Sequence, residues 1–169
     1  MTTTIANASL TVTVTEAVTL NGYNQGSSNS LTIASINEVV KRIVTVSATE
    51  TGLLSFSAAS STAVAATAAN TYLAGHFDQA NARYIRVTNK DDTVYVSLRF
   101  RSLGGHEFAV KVAAGNSFIY CCETATGAGT VATMDANTAA LTVAFDNLAD
   151  ITAAADTAAV DLEVFVASV

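Results

Sequence analysis

The stretch YIRVTNKDDTVYVSLRFRS, from Tyr84 to Ser102, decides the fold. Ile85 and Val87 alternate with Tyr84 and Arg86, and after the polar TNKDD segment Val94, Val96, Leu98 and Phe100 alternate with Tyr95, Ser97, Arg99 and Arg101. A repeat of two is that of a β-strand, whose successive side chains point to opposite faces, so each run is a strand with one apolar face. A third run, EFAVKV, continues the pattern with Phe108, Val110 and Val112. Antiparallel pairing through the TNKDD and RSLGGHE turns would lay the three strands side by side and join those apolar residues into one continuous face. The opposite face would then carry Tyr84, Arg86, Tyr95, Arg99, Arg101, Glu107 and Lys111, which makes these residues the candidate interface.

Charge sharpens the question of what that face meets. Six of the eight basic residues lie between Arg83 and Lys111, opposed there only by Asp91, Asp92 and Glu107, whereas the whole chain has a formal net charge of -6 and a pI near 4.6. A basic face interleaved with tyrosine can bind single-stranded nucleic acid through phosphate contacts and base stacking. The acidic remainder would repel a polyanion, so a solvated or subunit-facing surface is the stronger expectation. Arg99 or Arg101 would pair with Glu107 or with acid from a neighbouring chain, since the planar guanidinium binds carboxylate through two donors.

Outward from this region, the same repeat recurs. SLTVTVTEAVTL sets Leu10, Val12, Val14, Val18 and Leu20 against Thr11, Thr13, Thr15 and Thr19, a half-buried strand in which Glu16 on the apolar side marks a bulge or a strand end. Residues 1–9 are expected to form a flexible arm, and the Gly-, Asn- and Ser-rich run from Asn21 to Ser30 a long mobile loop. LTIASI, RIVTVSA, LLSFSA, LTVAFD and VDLEVFVAS read as further strands, the last with Val160, Leu162, Val164 and Val166 inward and Asp161 and Glu163 outward. STAVAATAANTYLAG fits a short helix, and NLADITAAADTAA a loop or one or two helical turns. About nine short strands with little helix and frequent turns predict a single all-β domain over residues 1–169, an antiparallel β-sandwich or barrel.

Composition supports a folded core and removes several alternatives. Half the residues are hydrophobic and 13% are charged, too apolar a mixture for a disordered chain. The chain contains no proline, so Gly, Asn and Asp must supply its turns. No window approaches the roughly 20 consecutive apolar residues of a membrane helix, and the N-terminus lacks the pattern of a secretory signal, so no membrane partner is expected. The adjacent Cys121 and Cys122 point to opposite faces of a strand, which disfavours a disulfide or a shared metal site between them.

Catalytic motifs are weak throughout. Gly127 to Ala132 matches GxGxxA after a strand-like segment, yet no amphipathic helix follows to present its N-terminal amides to a pyrophosphate. His76 and His106 belong to no ligand cluster, no serine sits in GxSxG, and Asp91 and Asp92 read as solvated turn carboxylates after Asn89. No catalytic, cofactor-binding or metal-binding residues are assigned, and the chain is expected to be no enzyme.

RYIRVTNKDDTVYVSLRF followed by HEFAVKVAAGNSFIY resembles a pattern of phage and marine-virus structural proteins. A strand ends in Asn, a polar turn and an alternating strand follow, and an apolar strand then leads through a Gly-containing turn to an aromatic strand. Tyr84, Ile85, Val87, Asn89, Val94, Val96, Leu98, Val110, Val112, Ala114, Gly115, Phe118 and Tyr120 carry the likeness, over about a quarter of the chain. The resemblance implies a jelly-roll-like sandwich and a virion role such as capsid decoration or cement, without a cofactor. It also implies synthesis in a host cytoplasm, assembly as a homo-oligomer such as a trimer, and contact with a major capsid protein or other virion proteins. A carbohydrate-binding or host-adhesion module is the alternative expectation, because Tyr and Arg on a sheet can stack on and hydrogen-bond to sugars.

Overall fold

The computed structural model describes residues 6–57, 76–121 and 147–169, and every regular element among them is a strand. Eight strands build two facing sheets: β5 (Glu38–Val46), β6 (Thr51–Ser57), β8 (Ala82–Asn89), β9 (Val96–Ser102), β10 (Glu107–Val112), β11 (Ser117–Cys121), β12 (Leu148–Ala155) and β13 (Val160–Ser168). One sheet has the order β11-β8-β13-β5. The other runs β10-β9-β12-β6 and is extended by β7 (His76–Asp78), which pairs in parallel with β6. Lettering the eight strands A to H in chain order, the sheets read A-H-C-F and B-G-D-E, which is the jelly-roll arrangement of an all-β sandwich.

Alternation correctly assigns the inward side chains. Ile85, Val87, Val96, Leu98, Phe100 and Val112 are buried in one cluster with Leu162, Val164 and Val166, and Val94, Phe108 and Val110 pack against it half-buried. Phe100 stacks on Phe108 with ring centroids 4.7 Å apart. The expected three-strand face, however, is corrected. β9 and β10 form the antiparallel hairpin anticipated through RSLGGHE, with Arg99 opposite Ala109 and Arg101 opposite Glu107. β8 lies in the other sheet, between β11 and β13, so TNKDD carries the chain across the sandwich. Period two reports that side chains point to a common core, and the inner faces of both sheets satisfy that equally.

Asn89 holds this crossing. Its side chain is fully buried, with Nδ2 donating to the carbonyls of Val94 (2.8 Å) and Val112 (3.3 Å), and Oδ1 accepting the Asp91 amide (3.0 Å). The Asn89 amide donates to the Asn116 carbonyl, and the Gly115 amide to the Asp91 carbonyl, so the crossing from β10 to β11 is tied to the crossing from β8 to β9. Gly115 has φ +71°, a left-handed conformation that glycine adopts without strain. Asp91 closes its own turn, Oδ1 accepting the amides of Val94 (2.6 Å) and Thr93 (2.7 Å).

The N-terminal region departs most from expectation. β1 (Ala8–Thr15) pairs with β4 (Ser28–Ile36), and β2 (Thr19–Leu20) with β3 (Tyr23–Asn24), in one register from Leu10↔Ile33 to Leu20↔Tyr23. The Asn21 to Ser30 run, expected as a loop, therefore contains a hairpin tip, β3 and the start of β4. Asn21 and Gly22 both have positive φ, 52° and 80°, as a tight two-residue hairpin turn requires. Glu16 does mark the strand end, and its amide bonds the Ser27 carbonyl. Gly26 is held to glycine by sterics, because a Cβ there would lie 1.9 Å from the Glu16 carbonyl oxygen.

The NLADITAAADTAA segment, expected as loop or helix, instead forms β12, where Ile151 and Ala153 supply the core and Asp150 and Thr152 turn away from it. Its alanines masked a strand whose identity comes from pairing on both sides, with β6 and with β9. The expected helix at 61–75, the LTVAFD strand, the GxGxxA motif, Cys122 and residues 1–5 lie outside the described residues.

Asn89→Ala should lower the free energy of unfolding by about 1–3 kcal/mol, because two carbonyls and a turn amide lose their shared partner. Urea denaturation followed by circular dichroism measures this; an unchanged midpoint would show that other contacts hold the crossing.

Candidate interaction faces

The strand crossing divides the candidate interface between two surfaces. Tyr95, Arg99, Arg101, Glu107 and Lys111 lie on or beside the outer face of the five-stranded sheet, whereas Tyr84 and Arg86 lie on the outer face of the four-stranded sheet. The two groups therefore do not form one site.

On the five-stranded sheet the charges are consumed in pairs between neighbouring strands. Arg101 binds Asp150 through two parallel hydrogen bonds, Nε to Oδ1 at 2.9 Å and Nη2 to Oδ2 at 2.7 Å, as its register partner on β12. Arg99 likewise forks onto Glu50, with Nε to Oε1 at 2.8 Å and Nη2 on Oε2, while Nη1 reaches Glu107 at 3.4 Å. Thr152 adds a hydroxyl donor to Glu50. Lys111 sits over the Tyr95 ring, 3.8 Å from its centroid, and the Tyr95 hydroxyl donates to Asp156 at 2.8 Å. The Arg99 hydrogen bonds hold the Glu50 carboxyl below its ordinary range, and the bond to Asp156 raises the Tyr95 hydroxyl. Between these pairs lies a depression of about 190 Å³, lined by small residues including Ser97, Ala109 and Ala154.

The four-stranded sheet is built differently. Tyr84 is only 7% exposed because the N-terminal hairpin covers it: Ile33, Ile36 and Ala167 bury against it, with Leu10, Val12, Leu31 and Phe165 packed around them. Burial raises its hydroxyl pKa, and its ring meets Phe165 edge-on at 5.7 Å. Arg86 donates to Glu163 at 2.6 Å and to Thr88 at 2.9 Å, and Lys41 reaches Glu163 at 3.0 Å. Hydrogen bonds from Lys41 and Arg86 hold Glu163 below the usual carboxylate range. A cleft of about 260 Å³ remains between hairpin and sheet, with Arg86 and Ile119 on its wall.

The expected Arg99–Glu107 pairing is present, but the principal partners, Glu50, Asp150 and Glu163, are not neighbours in sequence. Only Glu163 carried a readable signal, its outward place in an alternating strand. His76 Nδ1 hydrogen-bonds Ser55 Oγ at 3.1 Å, and His106 lies in the β9–β10 turn, its amide donating to Ser102 Oγ at 3.0 Å. On β5, Arg42 points inward and donates to the Leu53 carbonyl, and desolvation lowers its pKa. An inward charge of this kind guards a strand that has a described neighbour on one side only.

Among the described residues no three His, Cys, Asp or Glu side chains gather as metal ligands. Family models, curated proteins and solved structures supply no match to this chain. A jelly roll by itself hosts many activities, so function resides in the surfaces it presents.

The carboxyl shifts set a pH dependence. Glu50, Glu163 and Asp91 all titrate below their unfolded values, so each stabilises the fold fully above the ordinary carboxylate range and loses that contribution as pH falls through its folded value. Stability should be level from neutrality to about pH 5 and decline below about pH 4. Arg99→Ala should cost about 1 kcal/mol or less at pH 7, as partly exposed pairs do, and its electrostatic part should shrink between pH 7 and pH 3. Urea midpoints of both proteins at the two pH values provide the check; equal differences at both would remove the Glu50 pairing as the cause.

Proposed function

We propose that this chain is a non-enzymatic structural protein of a virus particle, a jelly-roll subunit that self-associates and binds a capsid or tail surface. The observation that carries the reading is the N-terminal hairpin, whose base is docked on the sandwich while Val14 (54%), Val18 (53%), Leu20 (61%) and Tyr23 (73%) near its tip remain exposed. Apolar side chains presented in order on a hydrogen-bonded arm suit a protein partner. The jelly-roll strand order and the virus-like YIRVTNKDDTVYVSLRF pattern support the virion setting by analogy of fold and sequence style. Many copies binding in register would multiply contacts that are individually modest.

Charge pairing also weighs against nucleic acid as the partner. Arg86, Arg99 and Arg101 each engage a carboxylate of the same chain, and a phosphate would have to compete with those bonds. A glycan is the second reading, favoured by the depression on the five-stranded sheet lined by Arg99 and Glu50, with Tyr95 on the same side of that sheet. Tyr84 is removed as a stacking platform by the hairpin that covers it.

Purified particles from the source should contain this chain by mass spectrometry, and recombinant protein should sediment with particles stripped of it. Absence from particles together with failure to sediment would end the virion reading. On a glycan array, a signal abolished by Tyr95→Ala and preserved by an outer-face change elsewhere would favour the second reading instead.

A further inference from the structure

The outgoing strand of the hairpin carries apolar side chains along one side, interrupted by Glu16, and the returning strand adds Asn29 and Ser27 to the polar middle of that side. Because its register is unbroken, Leu10, Val12, Val14, Glu16, Val18 and Leu20 share a side, and Tyr23, Leu31 and Ile33 lie on that side from the returning strand. The base of this face is spent on the chain's own sheet, where Leu10, Val12, Leu31 and Ile33 meet Tyr84 and Phe165. From Thr13 to Ser30 every residue except Gly26 is exposed, so the distal half stands clear of the sandwich. It is a continuation of a docking surface beyond the sheet on which it docks.

A matching surface lies on the same molecule. The outer face of β5 presents Val39 (55% exposed), Lys41 and Ile43 (54% exposed) in alternate positions. The hairpin presents Val14, Glu16 and Val18 in alternate positions. Both are apolar–charged–apolar triplets, and their central charges are opposite. Lys41 already contacts Glu163, yet its side chain is 58% exposed and an ammonium has three donors, so it can bind a second carboxylate. Glu16 accepts one hydrogen bond, from Ser27 Oγ to Oε2 at 2.8 Å, which leaves Oε1 for another donor.

The base of the hairpin touches both edges of the four-stranded sheet. β4 leads into β5 through Asn37, whereas β1 lines a cleft with Ile119 of β11, the strand at the far edge. Val14, Val18, Val39 and Ile43 are each more than half exposed, so the two patches do not cover one another within one chain. We infer that the distal hairpin docks head-to-tail on β5 of a second copy, Val14 and Val18 against its Val39 and Ile43, and Glu16 against its Lys41. A contact between two different patches of identical chains repeats at each subunit and closes into a ring when the rotation permits. This inference rests on the assembly reading above and names the surfaces that would build it.

Charge exchange tests the docking, with light scattering after size exclusion on the purified full chain as the readout. The wild type should self-associate, and Glu16→Lys and Lys41→Glu should each weaken association about 10-fold or more by setting like charges together. The double variant Glu16→Lys/Lys41→Glu should recover association to within about 3-fold of wild type, since the pair is restored with its signs reversed. Neither change touches the core, and Glu163 retains Arg86 when Lys41 is replaced. Circular dichroism of each variant confirms folding, and Leu20→Asp, which alters only the exposed tip, supplies a further weakening variant. A wild type that remains monomeric at millimolar concentration overturns the inference, as does a double variant no stronger than the singles. A monomer that still sediments with particles would end this inference and leave the virion reading standing; charge rescue in a chain absent from particles would do the reverse.

Discussion

The buried side chain of Asn89 is the interaction on which the arrangement of this molecule depends. It stands where β8 ends, and it satisfies the carbonyls of Val94, on the path into β9, and Val112, at the end of β10. Val94 precedes β9 and Val112 is the last rung of the β9–β10 ladder, where the chain changes sheets, and an unpaired buried carbonyl is costly. With the Asn89 amide on Asn116 and the Gly115 amide on Asp91, both crossings are clamped at one end of the sandwich. A jelly roll requires its chain to pass repeatedly between layers, and polar satisfaction at these corners is what allows the apolar faces of β8 and β9 to close on each other.

That crossing also decides what the surface can do. Had β8 and β9 formed a hairpin, Arg86, Arg99 and Arg101 would have shared one basic face with Tyr84 and Tyr95. Placed on opposite outer faces, each guanidinium instead meets a carboxylate from an adjacent strand or loop: Arg86 with Glu163, Arg99 with Glu50, Arg101 with Asp150. Two of these are forked pairs, which orient strands more than they stabilise the fold, because partly exposed pairs gain little net energy. The arginines of the sandwich faces are therefore paired within the chain, and among the described residues the large apolar side chains left exposed lie mainly at the hairpin tip and on the outer side of β5, with Leu103 and Ile119 besides.

The hairpin combines rigidity with exposure. Its outer side is a row of hydroxyl pairs, Thr13 with Ser30 at 2.8 Å and Thr15 with Ser28 at 3.1 Å, which suits water and provides cross-strand hydrogen bonds. Its inner side is apolar at the base and again near the tip, interrupted by Glu16, Ser27 and Asn29. An arm held in this way loses less conformational freedom on binding than a loop would, so more of the contact energy remains as affinity.

The sequence by itself determined the all-β class and the direction of most side chains, because alternation along a strand is a local consequence of the pleat. Val160, Leu162, Val164 and Val166 point inward as their spacing requires, and so do Ile85, Val87, Leu98 and Phe100. The Asn-Gly pair at positions 21 and 22 held the hairpin signal too, obscured by the Gly, Asn and Ser that surround it. Tertiary structure alone decided which sheet each strand joins, that alanine-rich Leu148–Ala155 is a strand, that Tyr84 is covered, and which acid each arginine meets. These outcomes depend on pairings between residues far apart in the chain, 49 positions for Arg101–Asp150 and 77 for Arg86–Glu163. A period of two is indifferent to them, since either inner face of a sandwich satisfies the same pattern.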